Sequence, residues 1–442
     1  MATATRAPSS AGAEWRNWVG DQRCRPAQVL APRSREELAA AVAATAAAGR
    51  RMKVAGSGHS FTEAALTDDT MVRVEALDRV LEADAETGLV KVEAGIVLSA
   101  LNEALARHGL ALPNLGDIDR QTLAGAISTG THGTGAGLRN ISAQVEGIEL
   151  VTADGERREL TAETDPDGLA AARVGIGALG AIYSVTLRAV PAFVLHRIDA
   201  PRPLDDVLGS FHELAAENDH FEFFVFPYTR TALTLRRNRT DLGSAPRTRF
   251  QRFLSDTVLE NTVGDLALRF GRRFPDLIPR LTGLAARVMS QAEQRDASYR
   301  LFANERRIRF TEMEYALPRE AGPEALSRVL DWIRANRFPV AMPIECRVVA
   351  PDDALISPSH ERASTYIAVH QYQGMEFRPY FEGVEAIFAE YDGRPHWGKR
   401  HTLDAEELAR RYPRFGDFLA VRDRLDPDRA FANDYTERVL GP

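Results

Sequence analysis

The order of elements along this chain predicts an α+β fold, and three observations carry that expectation. Short runs with apolar–polar alternation recur throughout, a few helical stretches separate them, and the two never settle into the regular βαβ order of a doubly wound sheet. At 442 residues and 44% hydrophobic content, the chain is long enough for two or three domains with sizeable cores.

Trp15-Arg16-Asn17-Trp18-Val19-Gly20 opens the ordered part as a packed arm, with its two tryptophans as anchors because an indole buries so much area. Ser34-Arg35-Glu36-Glu37 reads as a capping box for an alanine-rich helix that Gly49 stops. A strand from Met52 to Ala55 then runs straight into Gly56-Ser57-Gly58-His59-Ser60-Phe61. Val72-Arg73-Val74 and Val90-Lys91-Val92 alternate as a pair of half-exposed strands, and a helix from Ser99 to His108 ends at Gly109. Val145 to Val151 is a strand closed by the Asp154-Gly155 turn. The run from Val174 to Ile182, which includes Gly180, returns to small residues before a strand ending near Pro191.

The loop after Ala55 combines two glycines, two serines and one imidazole. Glycines let backbone N–H groups approach an anionic ligand, serines add donors, and His59 is left as a reactive group. The pattern G-x-G-x-x-F lacks the third glycine of a Rossmann turn. Downstream, Leu112 to Ile118, with Gly116 and Asp117, leads into Thr122 to Gly135. That second run contains Gly125, Ser128, Thr129, Thr131, His132, Gly133 and Thr134 and avoids bulky charge, a composition suited to lying against something flat with polar edges.

From Val194 the texture changes. Phe221 to Phe226 and Leu233 to Leu235 read as paired strands around Pro227 to Arg230. Residues 250 to 295 read as helical, with Arg272-Arg273 near a break at Pro275, and a solvated helical cap is favoured over a membrane-surface helix because the basic amphipathicity is modest. In the strand Arg307 to Tyr315, Glu312 and Glu314 share one face, expected to be exposed rather than part of a pocket. Glu345 and Arg347 also share a strand face and can reach one target together, though a surface ion pair satisfies the same pattern. Tyr366 to Tyr372 is a further strand whose polar groups, His370 among them, can line the same pocket. Gly393 to Lys399 matches G-x-x-x-x-G-K but is a decoy for a P-loop, since Arg400 stands where Ser or Thr must hold magnesium and Pro395 removes a backbone donor.

Composition narrows the function classes. Against 55 Lys and Arg stand 62 Asp and Glu, a net charge of −7, which disfavours nucleic-acid binding. The two cysteines, Cys24 and Cys346, give no disulfide framework, and no metal motif is visible. Met1 to Glu14 has no apolar core of a signal peptide and no run of about eighteen apolar residues occurs, so a soluble cytoplasmic protein is the expectation.

Together the G-x-G-H-S loop, Glu93-Ala94-Gly95-Ile96, the G-T-H-G-T-G run, E-C-R at 345–347 and H-W-G-K at 396–399 resemble the vanillyl-alcohol oxidase superfamily, and within it the sugar-lactone and alditol oxidases. The resemblance covers nearly the whole chain and implies a two-domain flavoprotein. An FAD-binding domain of the PCMH type would span 15–193, and a substrate (cap) domain with a large antiparallel sheet 194–404. Residues 405–442, with the D-P-x-x-x-F segment Asp426 to Phe431, would return to the first domain. It also implies a covalent bond from His59 to the flavin. The other cofactor contacts would be Ala55 to Ser60, Phe61, Gly116, Asp117, Thr122, Gly125, Ser128, Thr129, Thr131 to Thr134, Gly180 and Ile182.

Removing two hydrogens from an alcohol carbon needs a hydride acceptor that no side chain provides, so FAD is the implied cofactor. Arg347 and Lys399 are candidates for stabilising developing negative charge, Lys399 also for handling the hydroxyl proton, and Glu345 for holding Arg347 and binding substrate hydroxyls. Thr122, His370 and Tyr372 are further substrate-contact candidates. Phe310 to Tyr315 and His396 to His401 most resemble the gulono- and arabinono-lactone enzymes, which implies an aldono-1,4-lactone oxidised at C2, with an alditol oxidised at C1 as the alternative. A cell-wall-precursor type of flavin reductase would need a nicotinamide site for which no motif is seen. A non-enzymatic binding module would leave Glu345, Arg347 and Lys399 without a role. The dehydrogenase branch carries alanine where Gly116 stands, so the glycine implies access for dioxygen; another electron acceptor remains compatible.

Overall fold

The computed structural model describes residues 12–248, 262–303 and 307–442. Helix α1 (Arg35–Ala47) starts where the Ser34 hydroxyl accepts from the Glu37 N–H at 3.1 Å, while the Glu37 carboxylate reaches past the cap to the Arg33 N–H at 2.7 Å. Leu38 and Val42 of α1 pack with Met52 and Val72 over a parallel sheet of β1 (Gln28–Leu30), β2 (Met52–Ala55) and β3 (Thr70–Arg73), in the order β1-β3-β2. A five-stranded antiparallel sheet follows, built from β4 (Val80–Ala83), β5 (Leu89–Glu93), β6 (Val145–Val151), β7 (Arg157–Thr161) and β8 (Ala181–Arg188), in the order β7-β6-β8-β5-β4. The two runs expected as half-exposed strands fall in different sheets, and the first is buried. Val72 sits in β3, buried between two parallel neighbours, whereas Val90 in β5 pairs with β4 and β8. A central strand of a parallel sheet is covered on both faces, so its alternation carried no information about exposure.

Between these sheets run α2 (Leu98–Arg107) and the short α3 (Leu123–Ser128), the latter capped by the Thr122 hydroxyl, which accepts from the Gly125 N–H at 3.3 Å. The glycine-rich run is thus folded as a helix start followed by an extended loop.

The second domain is organised by an eight-stranded antiparallel sheet. Its strands are β9 (Val194–Pro203), β10 (His220–Val225), β11 (Thr231–Thr240), β12 (Ala292–Ala297), β13 (Phe310–Pro318), β14 (Ile344–Val349), β15 (Ser364–Tyr372) and β16 (Arg394–Pro395), in the order β12-β9-β11-β10-β14-β15-β13-β16. Of the stretch expected to be helical from 250 to 295, residues 250–261 lie outside the described residues. The rest forms α4 (Gly264–Arg273), a break at Pro275 and α5 (Ile278–Val288), but Ala292–Ala297 is an edge strand. Its AEQRDA sequence carries no apolar alternation, so nothing in it marks a strand. Helices α6 (Gly322–Ala335) and α7 (Arg378–Ala389) bury Leu326, Val329, Leu330, Val384 and Phe388 in the main core of the molecule. The sheet docks on the glycine-rich run where the Gly135 N–H donates to Val348 O at 2.8 Å and the Val348 N–H to the Thr134 hydroxyl at 3.2 Å.

The C-terminal helices α8 (Phe415–Leu425) and α9 (Asp434–Leu440) bring the chain back to the first domain. The Asp426 carboxylate accepts from the Ala430 and Phe431 N–H groups at 2.8 and 3.0 Å, and the Met52 N–H donates to Ala430 O at 2.7 Å. Phe431 fills the core beside Met52 and Val72.

Gly95, from the Glu93-Ala94-Gly95-Ile96 motif, is pinned against backbone: a Cβ there would lie 1.8 Å from Val74 O and 2.8 Å from Leu77 O. Gly95→Ala is expected to cost about 3 kcal/mol or more, whereas Gly137→Ala, whose Cβ meets nothing within 4 Å, stays within about 0.5 kcal/mol. Denaturant midpoints of the two variants check this.

Candidate active site

Two adjoining cavities meet at the glycine loops, the first enclosed by the first domain and the second facing the large sheet. The longer one, with about 1020 Å3 of free space partly open to solvent, is walled by Gly56, Ser57 and Gly58 at the end of β2, by Thr122, Gly125 and Ser128 of α3, and by Gly175 to Ile182. Its walls permit a close backbone approach: a Cβ on Gly56 would strike the Thr122 hydroxyl at 2.1 Å, and Gly58 and Gly177 both have positive φ, 69° and 66°. The smaller chamber is lined by Gly116, Asp117, His132, Glu314, Arg347 and Lys399, with Phe61, Thr131, His396 and Gly398. His59, Ser60, Gln121 and Thr129 line both, so His59 stands at the junction.

His59 is half-buried and stacks on Trp18, with ring centroids 5.6 Å apart, and its buried Nδ1 has no hydrogen-bond partner among the described residues. Burial, then the charges of Arg120 and Lys399, push its pKa down to about 4, so the ring is neutral and nucleophilic near pH 7. The arm that holds this loop is reached by the Trp18 N–H, which donates to Gly58 O at 2.7 Å, and Trp15 lines the long cavity. The tryptophans expected only as anchors thus also shape the ligand wall.

One face of the large sheet carries the charges. In register across β10, β14, β15 and β13 stand Glu222 opposite Arg347, Glu345 opposite Ala368, and Glu312 opposite His370, with Glu314 opposite Ala368 on the far side. Arg347 is clamped by Glu345 at 2.5 Å, Glu222 at 2.8 Å and Asp117 at 3.5 Å, and Arg237 holds Glu222 at 2.8 Å. Lys399 meets Glu312 at 2.5 Å and Glu314 at 4.0 Å, and His132 Nε2 lies 3.2 Å from Glu314. Burial raises the Glu312 pKa, but Lys399 and His370 outweigh it and hold the group at about 2. Burial also works against the Lys399 charge, yet Glu312 and Glu314 override it and raise its pKa, keeping it an ammonium. Burial brings His396 down to about 3 against the pull of Glu314.

Glu312 and Glu314, expected on an exposed face, are therefore buried, Glu314 in the chamber wall and Glu312 behind Lys399. Every residue of β13 except its last is buried, so alternation gave two equivalent faces and no sign of which one another domain covers. Several expected contacts fall elsewhere. Thr122 faces the long cavity, away from the charged chamber. Tyr372 is turned toward α4, its hydroxyl donating to Asp265 at 2.7 Å. His370 backs Glu312 at 3.5 Å, and Glu345 sits behind Arg347. Ala55, Gly133 and Thr134 pack behind the walls; a Cβ on Gly133 would lie 2.2 Å from Asn114 Oδ1, and Thr134 links the loop to the sheet. Lys53, which no motif marked, is buried in β2 and donates to Gly177 O at 3.0 Å and Phe431 O at 2.9 Å.

A family model described as D-arabinono-1,4-lactone oxidase matches residues 185–439, more than half of the chain. The chain belongs to this lactone oxidase family. An FAD binding domain model matches residues 26–161, which include the His59 loop and the glycine-rich run, so the protein is an FAD-dependent oxidoreductase. Over 428 residues it is 50% identical to the L-gulono-1,4-lactone dehydrogenase of Mycobacterium tuberculosis, covering 97% of this chain and 99% of that one. It is 33% identical to the L-gulonolactone oxidase of Bos taurus, with 97% and 98% covered, and 31% identical to an alditol oxidase of Streptomyces, with 96% and 98% covered. Cholesterol oxidase from Brevibacterium sterolicum shares the fold, with a TM-score of 0.81 at 15% identity over 97% of this chain and 96% of that one.

The buried titratable groups of this family member set its response to acid. His59 and His220 titrate near 4 and His396 and His401 near 3 in the fold, against 6.5 when unfolded. Below pH 6.5 the unfolded chain binds protons that the native state refuses, so stability falls. Glu312, held at about 2 against 4.5, extends the loss from pH 4.5 downward. Thermal midpoints should therefore decline continuously below pH 6.5, and His401→Phe should flatten the upper part of that decline.

Proposed function

We propose that this protein oxidises an aldono-1,4-lactone of the L-gulono, L-galactono or D-arabinono type at C2. The observation that carries the reading is the convergence of Arg347 and Lys399 on a chamber that opens at His59 into a glycine-walled cleft. Residues 15–193 would hold FAD, 194–404 the substrate, and 405–442 the contact between the C-terminus and the cradle. The glycines of the Gly56 loop and of the run Gly175 to Gly180 suit the dinucleotide, and the unpartnered Nδ1 of neutral His59 suits covalent attachment at the junction. FAD, when bound, supplies the two-electron acceptor that side chains lack.

The protein's own groups do the rest. The paired carboxylates keep Lys399 charged, so it donates to the substrate oxygen and offsets the negative charge that grows there. For the substrate O–H to break, Lys399 first passes a proton to Glu312, 2.5 Å away, and the neutral amine this leaves takes the hydroxyl proton, which restores the ammonium beside the substrate oxygen. Glu345, Glu222 and Asp117 fix Arg347 in a single orientation, so its guanidinium recognises the lactone oxygens without reorganising. Gly116 leaves open the chamber wall beside His132, which supports reoxidation by dioxygen, with another acceptor as the alternative.

Acid precipitation of the purified protein should leave the yellow colour with the pellet, and His59→Ala should release it to the supernatant. Lys399→Met should lower kcat on the lactone by roughly 10²- to 10³-fold with the fold intact. Steady-state assay of lactone against alditol decides the substrate class: a preference for the alditol overturns the lactone reading. Reduced protein that air cannot reoxidise, but an artificial acceptor can, overturns the oxidase reading.

A further inference from the structure

Glu385 is a buried carboxylate that the chemistry above does not use. It projects from the face of α7 that also buries Tyr380, Phe381, Val384 and Phe388, and it is only 7% exposed. The donors that satisfy it are neutral. The Tyr315 hydroxyl donates to Oε1, the Thr402 N–H donates to the same oxygen at 2.9 Å, and the Thr402 hydroxyl donates to Oε2. An apolar side chain would fill this place without the cost of taking a carboxylate out of water, so what Glu385 holds decides its presence.

Its donors belong to the two segments whose alignment sets the surroundings of Lys399. Tyr315 follows Glu314 on β13, so its side chain leaves the opposite face of the strand that turns Glu312 and Glu314 toward Lys399. Phe388 of α7 lies against the Tyr315 ring, with centroids 5.4 Å apart. Thr402 ends the loop that carries Lys399. That loop runs along the same strand, with the His396 N–H donating to Glu314 O and the Arg400 N–H to Glu312 O, both at 3.0 Å. The next backbone anchor is Glu385, at Thr402. One carboxylate thus ties the loop of Lys399 to the strand whose Glu312 lies 2.5 Å and Glu314 4.0 Å from the ammonium. Asp117 adds its negative charge, and His59 and His396 stand nearby as neutral rings. Burial works against the ammonium and these carboxylates offset it, an attraction that weakens as the groups separate.

We propose that Glu385 is a positioning residue that holds the Lys399 ammonium against Glu312 and Glu314. It lines neither cavity and acts through Lys399 alone. The consequence for turnover rests on the role given to Lys399 above, whereas the position of the ammonium does not.

The chain has three lysines, Lys53, Lys91 and Lys399, so acetylation of each can be followed separately by mass spectrometry. Acetic anhydride reacts with the neutral amine. In the holoprotein without substrate, the Lys399 rate should still be rising at pH 10.5, the ordinary value for a lysine. In Glu385→Leu its midpoint should fall by about one pH unit or more, with Lys91 unchanged as the internal reference. A loop that had merely loosened would admit reagent at every pH and raise the rate without moving the midpoint. Tyr315→Phe, which cuts the link to β13 but leaves Thr402 bound, should fall between wild type and Glu385→Leu. Glu385→Gln removes the charge but keeps a carbonyl for the Thr402 N–H, and should stay near wild type. The high-pH limb of kcat should move with the Lys399 midpoint, while KM at neutral pH stays nearly constant. An unmoved midpoint in Glu385→Leu, or in Tyr315→Phe should the first variant not fold, overturns the proposal. Equal shifts in Glu385→Gln and Glu385→Leu also overturn it, since Glu385 would then act through its charge. If Lys399→Met retains kcat, the role of Lys399 in turnover fails, and the acetylation profiles still decide what Glu385 does.

Discussion

The arrangement of the second domain depends on keeping several carboxylates charged out of water. Asp117, Glu222, Glu312, Glu314 and Glu345 stand around one chamber, and Arg237, Arg347 and Lys399 meet them in direct contact. A buried, uncompensated carboxylate costs several kcal/mol, so the remaining charge has to be met by groups nearby. His132 and His370 suit that role. Each has Nδ1 on a backbone carbonyl, Gly133 O at 2.8 Å and Pro343 O at 2.9 Å, which can only accept, so each Nδ1 carries a proton. Each Nε2 faces a carboxylate, Glu314 at 3.2 Å or Glu312 at 3.5 Å.

The same accounting separates a proton network from a metal centre. The ligand atoms of His132, Glu314 and His396 lie within 4.8 Å of one another, a spacing that also suits a cation. His396 Nδ1, however, accepts from the Gly398 N–H at 3.0 Å, which puts the proton of its neutral ring on Nε2. The Lys399 ammonium, 4.0 Å from Glu314, already supplies positive charge there. Buried hydrogen bonds and ion pairs thus fix Lys399 and Arg347 before any substrate arrives, which is the condition for electrostatic stabilisation without reorganisation.

What could be read from the sequence follows from how locally each feature is determined. The His59 loop was legible because its glycines and hydroxyls are adjacent in the chain and follow a strand. Glu345 and Arg347 were legible because a strand sets residues two apart on one face. Glu312 and Glu314 were not, since whether a strand face meets water or another domain is decided by residues far away in sequence. Which side of α4 and α5 meets solvent is likewise set by distant packing. Helical spacing reveals a stripe, but only the packed structure shows that Gly271, Leu268 and Ile278 take the inner side and leave Phe270 and Leu284 outside.

Lys53 shows how far the cofactor cradle is held from outside itself. Burial drives its pKa down to about 7 with only Asp426 in partial opposition, so below neutral pH the fold carries an ammonium at a net cost. An apolar residue of similar length would remove that cost but would leave Gly177 O and Phe431 O without this donor. Those two carbonyls belong to the wall of the long cavity and to the C-terminal segment. The penalty therefore secures geometry: Ile176 and Gly177 both have left-handed backbone, with φ of 42° and 66°, and such a turn persists only where its surroundings over-determine it. Lys53, leaving the strand that feeds the His59 loop, ties that turn to the last forty residues of the chain, so the C-terminus is part of the cradle although it lines none of its wall.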